Sequence, residues 1–125
     1  MYHAIIIEEN LEKPEVLRSH RILRTKFSAK NNWHLHVVEI PEPKRVIKEI
    51  QEAMVGAKPY YFHIFDEGKT LIVAFKDNVF HLNPNDETTW KDARAFGANK
   101  LNIPVEQLDF YPTRMSEEDN WYNRK

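Results

Sequence analysis

The residues most suited to chemistry are two histidines, His34 and His36, in the stretch NNWHLHVVEI (residues 31–40). Alternate side chains of an extended strand project from the same face, so these two imidazoles are expected to lie side by side. A pair with this spacing can chelate a metal ion, and it equally suits the solvated side of an ordinary sheet. Whether His34 and His36 are metal ligands or surface residues therefore depends on the strands and helices that surround them.

Catalytic motifs do not accompany the histidines. The sequence contains no G-x-S-x-G elbow, phosphate loop, dinucleotide fingerprint or H-E-x-x-H metal motif. Three glycines in 125 residues also argue against a glycine-rich phosphate cradle. The sequence consequently predicts no particular reaction, and whether the protein is an enzyme stays open at this stage.

A basic run is the second candidate for chemistry. Arg18, Arg21 and Arg24 recur at every third position in the segment KPEVLRSHRILRTKF, which has the pattern of a helix over residues 13–27. On such a helix they form a slanting ridge that could contact phosphates. The alternative is a solvated face paired with acidic residues, which the formal net charge of −1 favours over nucleic-acid binding.

Composition narrows the class of protein. The chain has no cysteine, which excludes disulfides, thiol catalysis and cysteine-ligated zinc or iron–sulfur clusters. The first ten residues contain too short an apolar run for a signal peptide, and no segment approaches the roughly 18 apolar residues of a membrane span. We therefore expect a cytoplasmic protein without membrane contact.

The element order predicted along the chain is β-α-β-α-β-β-β-α. It indicates an α+β two-layer sandwich with a mixed sheet of about five strands. The run Ile5-Ile6-Ile7 is apolar at both strand parities, which predicts a central strand covered on both faces. We expect one α+β domain over residues 1–114 and a flexible C-terminal tail over residues 115–125.

The three-stranded meander near the middle of the chain suggests where the other histidines point. If Phe62 opposes Val73, then His63 opposes Ile72 and Tyr61 opposes Ala74. Across the next turn, His81 then falls opposite Ala74. This register places seven side chains on one candidate binding face: His34, His36, Tyr61, His63, Ile72, Ala74 and His81.

Three interpretations of that face remain open. It is a half-solvated sheet surface, or the interface of a homodimer that covers Val38, Ile40 and Ile72. In the third interpretation it is a metal site, for which His34, His36, His63 and His81 are the candidate ligands, with Glu39, Asp66 or Glu67 as carboxylates.

A resemblance covers the C-terminal half of the chain. The stretch YYFHIFDEGKTLIVAFKDNVFHLNPNDETTWKDARAFG and the following NIPVEQLDF resemble small bacterial and archaeal proteins of unknown function. The resemblance rests on scattered residues, extends as far as Phe110 and implies a compact stand-alone domain. It implies no activity.

These observations favour a small cytosolic binding or interaction module that forms a homodimer through its sheet face. One alternative is a histidine-ligated metalloprotein, a class that includes metalloenzymes. The other is a nucleic-acid-associated protein that uses the basic first helix. The sequence does not identify a cofactor or a small-molecule ligand.

Overall fold

Six antiparallel strands form one sheet at the centre of the protein. The computed structural model describes residues 1–124. The strand order across the sheet is β2-β3-β1-β4-β5-β6. The strands are β1 (Tyr2–Ile7), β2 (Ile22–Ser28), β3 (Trp33–Ile40), β4 (Phe62–Phe65), β5 (Leu71–Ala74) and β6 (Val79–Leu82). The helices are α1 (Pro43–Ala53), α2 (Lys91–Lys100) and α3 (Glu118–Asn123).

The predicted α+β class is confirmed, but the sheet has six strands instead of about five, and all its strand pairs are antiparallel where a mixed sheet was predicted. Both faces of the sheet are covered, because the hydrophobic residues divide into one cluster that includes α1 and another that includes α2. We call these two sides the α1 face and the α2 face. β1 is a central strand, as its isoleucine run predicts: Ile6 packs on the α1 face and Ile5 on the α2 face.

The helix predicted over residues 13–27 is wrong. A 3-10 turn covers Pro14–Ser19, and Ile22–Ser28 is the edge strand β2. β2 pairs with β3 along its length, and this pairing satisfies backbone groups on the outer side of β3 that a helix would leave without partners. Asn32 adopts a φ of 58°, the left-handed conformation that a tight connection between two strands favours. The asparagine pair at residues 31–32 is therefore the turn of a β-hairpin.

The registers predicted for the meander are also wrong, by one residue between β4 and β5 and by two residues between β5 and β6, where His81 opposes Ile72 instead of Ala74. Phe62 opposes Ala74 instead of Val73, and Ile64 opposes Ile72. The Asp66 carboxylate accepts hydrogen bonds from the main-chain N–H groups of Lys69 and Thr70, at 2.9 and 2.8 Å. This cap holds a loop over residues 66–70, one residue longer than the predicted turn, and a one-residue shift turns every side chain of β5 to the other face.

α1 packs on one face of the sheet and α2 on the other. Val46, Ile47 and Ile50 of α1 are buried against the sheet. In α2, a Cβ atom added at Gly97 would lie 2.8 Å from Cδ2 of Leu108. The small residue therefore permits a close approach between α2 and the segment that follows it.

The segment predicted as a flexible tail packs onto the α2 face, although Lys125 lies outside the described residues. A 3-10 turn (Met115–Glu117) leads into α3, and Trp121 is only 4% exposed. We call residues 111–124 the C-terminal strap. No helix of residues 1–124 is long and apolar enough to cross a membrane.

Candidate functional site

The predicted histidine face does not form, because its members divide between the two sides of the sheet. His36 aligns with Ile6, and His81 aligns with Ile72, both on the α1 face. His63 aligns with Ile5 of the α2 face. Tyr61 also packs on the α2 face, whereas Ala74 packs on the α1 face. The shifted register of β5 separates Ile72, Ala74 and His81 from Tyr61 and His63. The pairing of β1 with β3 and β4 places His36 and His63 on opposite faces.

His34 and His36 each have a separate carboxylate partner. The His34 imidazole donates from Nδ1 to Glu9 at 2.7 Å, and this hydrogen bond raises the pKa of His34. The His36 imidazole donates from Nε2 to Glu8 at 2.8 Å and accepts from the Thr25 hydroxyl at 2.8 Å. The two imidazoles are therefore held by separate acids and do not converge on one ion.

The proposed metal ligands His34, His36, His63 and His81 are thus not brought together. Across residues 1–124, no three histidine, aspartate or glutamate side chains are placed to hold a metal ion. The series Glu8, His36, Thr25 has the order of a nucleophilic triad, but Thr25 lies exposed on an edge strand, away from the cavity described below. The hydrogen bonds of this series satisfy a buried imidazole.

The apolar residues that suggested a dimer interface are covered within the chain. Val38 and Ile40 are fully buried, and Ile72 is 5% exposed in the cluster that includes α1. Homodimer formation itself stays a prediction, without this face as its basis.

The arginine ridge is absent because its helix is absent. Arg18 lies in the 3-10 turn, Arg21 in the connection to β2, and Arg24 in β2 itself. The Arg24 guanidinium donates to Asp119 and lies 4.9 Å from the centre of the Tyr122 ring. Arg24 therefore binds the C-terminal strap of its own chain.

The α2 face contains a cavity of about 170 Å³ that we call the aromatic pocket. Strands β1 and β3 supply aliphatic residues to its floor, because the alternation of each strand turns them to the α2 face. The aromatic walls come from the start of β3, the residues before β4 and the strap. The lining residues are Ile5, Ile7, Trp33, Leu35, Tyr60, Tyr61, His63, Glu106, Gln107, Asp109, Tyr111, Trp121 and Arg124.

The aromatic walls contact one another. The ring centres of Trp33 and Tyr60 are 4.8 Å apart, and Tyr60 stacks on Tyr61, also at 4.8 Å, with 21° between the ring planes. Tyr61 in turn meets Phe110 edge to face, at 5.3 Å. Contacts of this kind hold the rings in fixed orientations.

Gln107 fixes both tyrosine hydroxyls. The Tyr60 hydroxyl donates to Oε1 of Gln107 at 2.9 Å, and the Tyr61 hydroxyl donates to its main-chain oxygen at 2.6 Å. Burial raises the pKa of Tyr61 well above its ordinary value, and burial followed by the charges of Asp109 and Glu106 raises that of Tyr60. Both phenols are therefore neutral near pH 7.

His63 is buried at the edge of the pocket. Its Nε2 lies 2.9 Å from the main-chain oxygen of Pro112. A carbonyl oxygen can only accept a hydrogen bond, so the proton is on Nε2 and Nδ1 is the acceptor. Burial lowers the pKa of His63 to about 4. This side chain is consequently a neutral imidazole near pH 7.

The charged groups of the pocket are two carboxylates and one guanidinium. Arg124 lies 3.5 Å from an Asp109 carboxylate oxygen, and 4.6 Å from the centre of the Tyr111 ring. Glu106 is exposed, and no ion-pair partner for it is found within residues 1–124. The lining thus has a negative balance of charge.

A wider hollow of about 450 Å³ lies on the other side of Tyr60. Leu101, Ile103 and two prolines provide most of its surface, and Lys58 is its one charged residue. The aromatic pocket is smaller, but polar and charged groups converge in it, which is the arrangement expected of a ligand site. We therefore take the aromatic pocket as the candidate functional site.

The sequence contains only partial signals for this site. Tyr61 and His63 were predicted to share a face, and they do share one, but the contributions of Trp33, Tyr111 and the strap were missed. The clustering of acids and aromatics in EQLDFY (residues 106–111) and the pair Tyr60-Tyr61 were the available clues.

Comparison of the chain with protein-family models, with curated proteins and with solved structures found no match. The similarity to small bacterial and archaeal proteins stays a prediction.

Proposed function

We propose that the protein is a small-ligand-binding module whose site is the aromatic pocket. The observation that carries this proposal is the pocket itself: a concave, mostly apolar surface with aromatic walls and a few fixed polar groups. Sites for small organic molecules have this composition, because apolar walls provide binding energy and polar groups orient the ligand.

The volume of the pocket limits the size of the ligand. A cavity of about 150 Å³ accommodates benzene. At about 170 Å³, the aromatic pocket accommodates a single ring or a compact group of similar size. A larger ligand would place only one such group in the pocket and extend into solvent.

The protein's own contacts hold the aromatic walls of the pocket in place. Trp33 belongs to β3, and the Tyr60 and Tyr61 hydroxyls are both held by Gln107. Little side-chain entropy is lost when rings already fixed in place receive a ligand. Fixed rings around a cavity therefore support a ligand-binding role for the pocket in addition to the part these rings play in packing.

The three tryptophans of the chain provide the test. Trp33 and Trp121 line the pocket, whereas Trp90 is buried elsewhere and its indole N–H donates to the main-chain oxygen of Asn83. Phenol, benzylamine and choline serve as probes in a titration followed by two-dimensional NMR of the indole N–H signals. We expect at least one probe to shift the Trp33 and Trp121 signals saturably while the Trp90 signal stays in place.

A blocking variant makes this test specific. Leu35→Phe adds bulk to the floor of the pocket and should abolish the shifts, whereas Ile22→Phe, on an exposed position of β2, should preserve them. Absence of saturable shifts with all three probes would overturn the proposal. Equal shifts in the Leu35→Phe variant would overturn it as well.

A further inference from the structure

The aromatic residues that line the pocket suggest a preference among ligands of the right size. Trp33, Tyr60, Tyr111 and Trp121 all contribute to its lining. The face of an aromatic ring carries negative charge density, so it attracts a cation within about 6 Å of the ring centre. Several rings around one cavity form the type of cage that recognises quaternary ammonium groups.

The protein's own cations already occupy ring faces at this site. The Arg124 guanidinium lies 4.6 Å from the centre of the Tyr111 ring, and Lys26 Nζ lies 5.0 Å from the centre of the Trp121 ring. Lys26 is not part of the pocket lining, so its charge approaches Trp121 from outside the cavity. These two contacts show that ring faces at this site accept cations.

Two carboxylates in the lining also attract cations. Asp109 and Glu106 both line the pocket, and Arg124 is the one guanidinium set against them. The Asp109–Arg124 pair is about half exposed, with 45% and 52% of the two side chains accessible to solvent. Such an exposed pair is weak, so a ligand cation can compete with Arg124 for Asp109.

We infer that the aromatic pocket selects a small organic cation, an amine or quaternary ammonium group of about single-ring size. This inference rests on the proposed function and specifies its ligand class. The rings provide the cation–π attraction, and Asp109 and Glu106 provide the opposite charge.

An isosteric pair of probes isolates the charge. Choline and 3,3-dimethyl-1-butanol have nearly the same shape, but only choline carries a positive charge. In the indole N–H titration, we expect choline to bind about tenfold more tightly than the alcohol, the ratio typical of cation–π attraction in a partly desolvated site.

Two substitutions test the charged groups. Glu106→Gln should weaken choline binding about two- to fivefold and leave binding of the alcohol unchanged, because an exposed carboxylate contributes modestly. Glu52→Gln removes an exposed acid from α1, on the opposite face, and should change neither affinity. Arg124→Gln should strengthen choline binding, because it frees Asp109 from its internal partner.

The outcomes separate this inference from the proposed function. If the alcohol binds as tightly as choline, or if Arg124→Gln weakens choline binding, the cation preference is wrong while the binding module stands. If neither probe, nor phenol or benzylamine, shifts Trp33 and Trp121, both proposals fail.

Discussion

The Lys26 ammonium group donates to the main-chain oxygen of Trp121 at 2.6 Å, and also donates to that of Arg124. Both acceptors belong to the last turn of α3 or the residue after it, where the helix leaves its carbonyl groups without partners. A cation at this end also interacts favourably with the helix dipole. One side chain of edge strand β2 thus anchors the end of the strap that forms a wall of the aromatic pocket.

Replacing Lys26 should therefore loosen the strap. We expect Lys26→Ala to reduce the free energy of unfolding by about 1 kcal/mol, a typical value for hydrogen bonds that are partly accessible to solvent. Urea denaturation followed by tryptophan fluorescence measures the change. Lys48→Ala, at an exposed position of α1, is the control and should be neutral. Equal stability of the two variants would show that the anchor contributes nothing.

Gly97 and Gly56 provide a second prediction, because a Cβ atom would be crowded at Gly97 and free of contacts at Gly56. Alanine at residue 97 would place its Cβ 2.8 Å from Leu108, whereas nothing lies within 4 Å of a Cβ at Gly56. Gly97→Ala should destabilise the protein by about 1 kcal/mol, since overpacking outweighs the gain in helix propensity. Gly56→Ala should be neutral or slightly stabilising. Thermal unfolding of both variants measures the difference, and a stabilised Gly97→Ala variant would contradict the close approach.

The sequence predicts those elements whose local pattern and packing agree. The Ile5–Ile7 run indicates a strand covered on both sides, and the apolar spacing of α1 indicates a helix against a sheet. In both elements the apolar residues that define the sequence pattern are also the residues that are buried in the fold. Local pattern and tertiary packing therefore favour the same structure.

The failures arise where distant contacts decide the structure. Residues 22–28 have a pattern compatible with a helix, but pairing with β3 makes them a strand. The register of β5 depends on whether Asp66 caps a loop of four residues or of five. A difference of one residue in loop length decides which face of the sheet Ile72 occupies. The strap has a polar sequence. It is held in place by the burial of Trp121 and by partners almost a hundred residues away in the sequence, such as Lys26. No local periodicity reports contacts of that kind.

Ile72 tests the corrected register. In the predicted register this residue was part of an exposed interface, whereas the structure buries it beneath α1. Ile72→Asp should reduce the free energy of unfolding by about 3 kcal/mol or more, because a carboxylate without a partner would enter the core. Val79→Asp, on the same face of the edge strand and 37% exposed, should be mild.

Light scattering on the folded variants completes that experiment. If Ile72→Asp remains stable and only shifts a dimer to a monomer, the burial of Ile72 in the chain is contradicted and the predicted dimer interface is supported. If Val79→Asp is as damaging as Ile72→Asp, the difference in burial between the two positions is contradicted.

The final prediction concerns pH and His63. Its pKa is lowered to about 4 in the folded protein by burial, compared with 6.5 for a free imidazole. Between these two values the unfolded chain binds a proton that the folded chain excludes, so the stability attributable to His63 is present above pH 6.5 and declines as the pH falls towards 4. The decline should amount to about 3 kcal/mol.

Urea denaturation at intervals between pH 7 and pH 4 measures this slope, and two variants identify its source. His63→Gln retains an N–H group that can donate to Pro112 but does not titrate, so its stability should change less steeply over this interval. His81→Gln replaces an exposed imidazole and should retain the slope of the parent protein. Because the parent protein and the His63→Gln variant share every other titratable group, the difference between their slopes reports His63 alone. Parallel curves for the parent and His63→Gln would mean that this imidazole is accessible to protons in the folded state, and that the buried edge of the aromatic pocket is open.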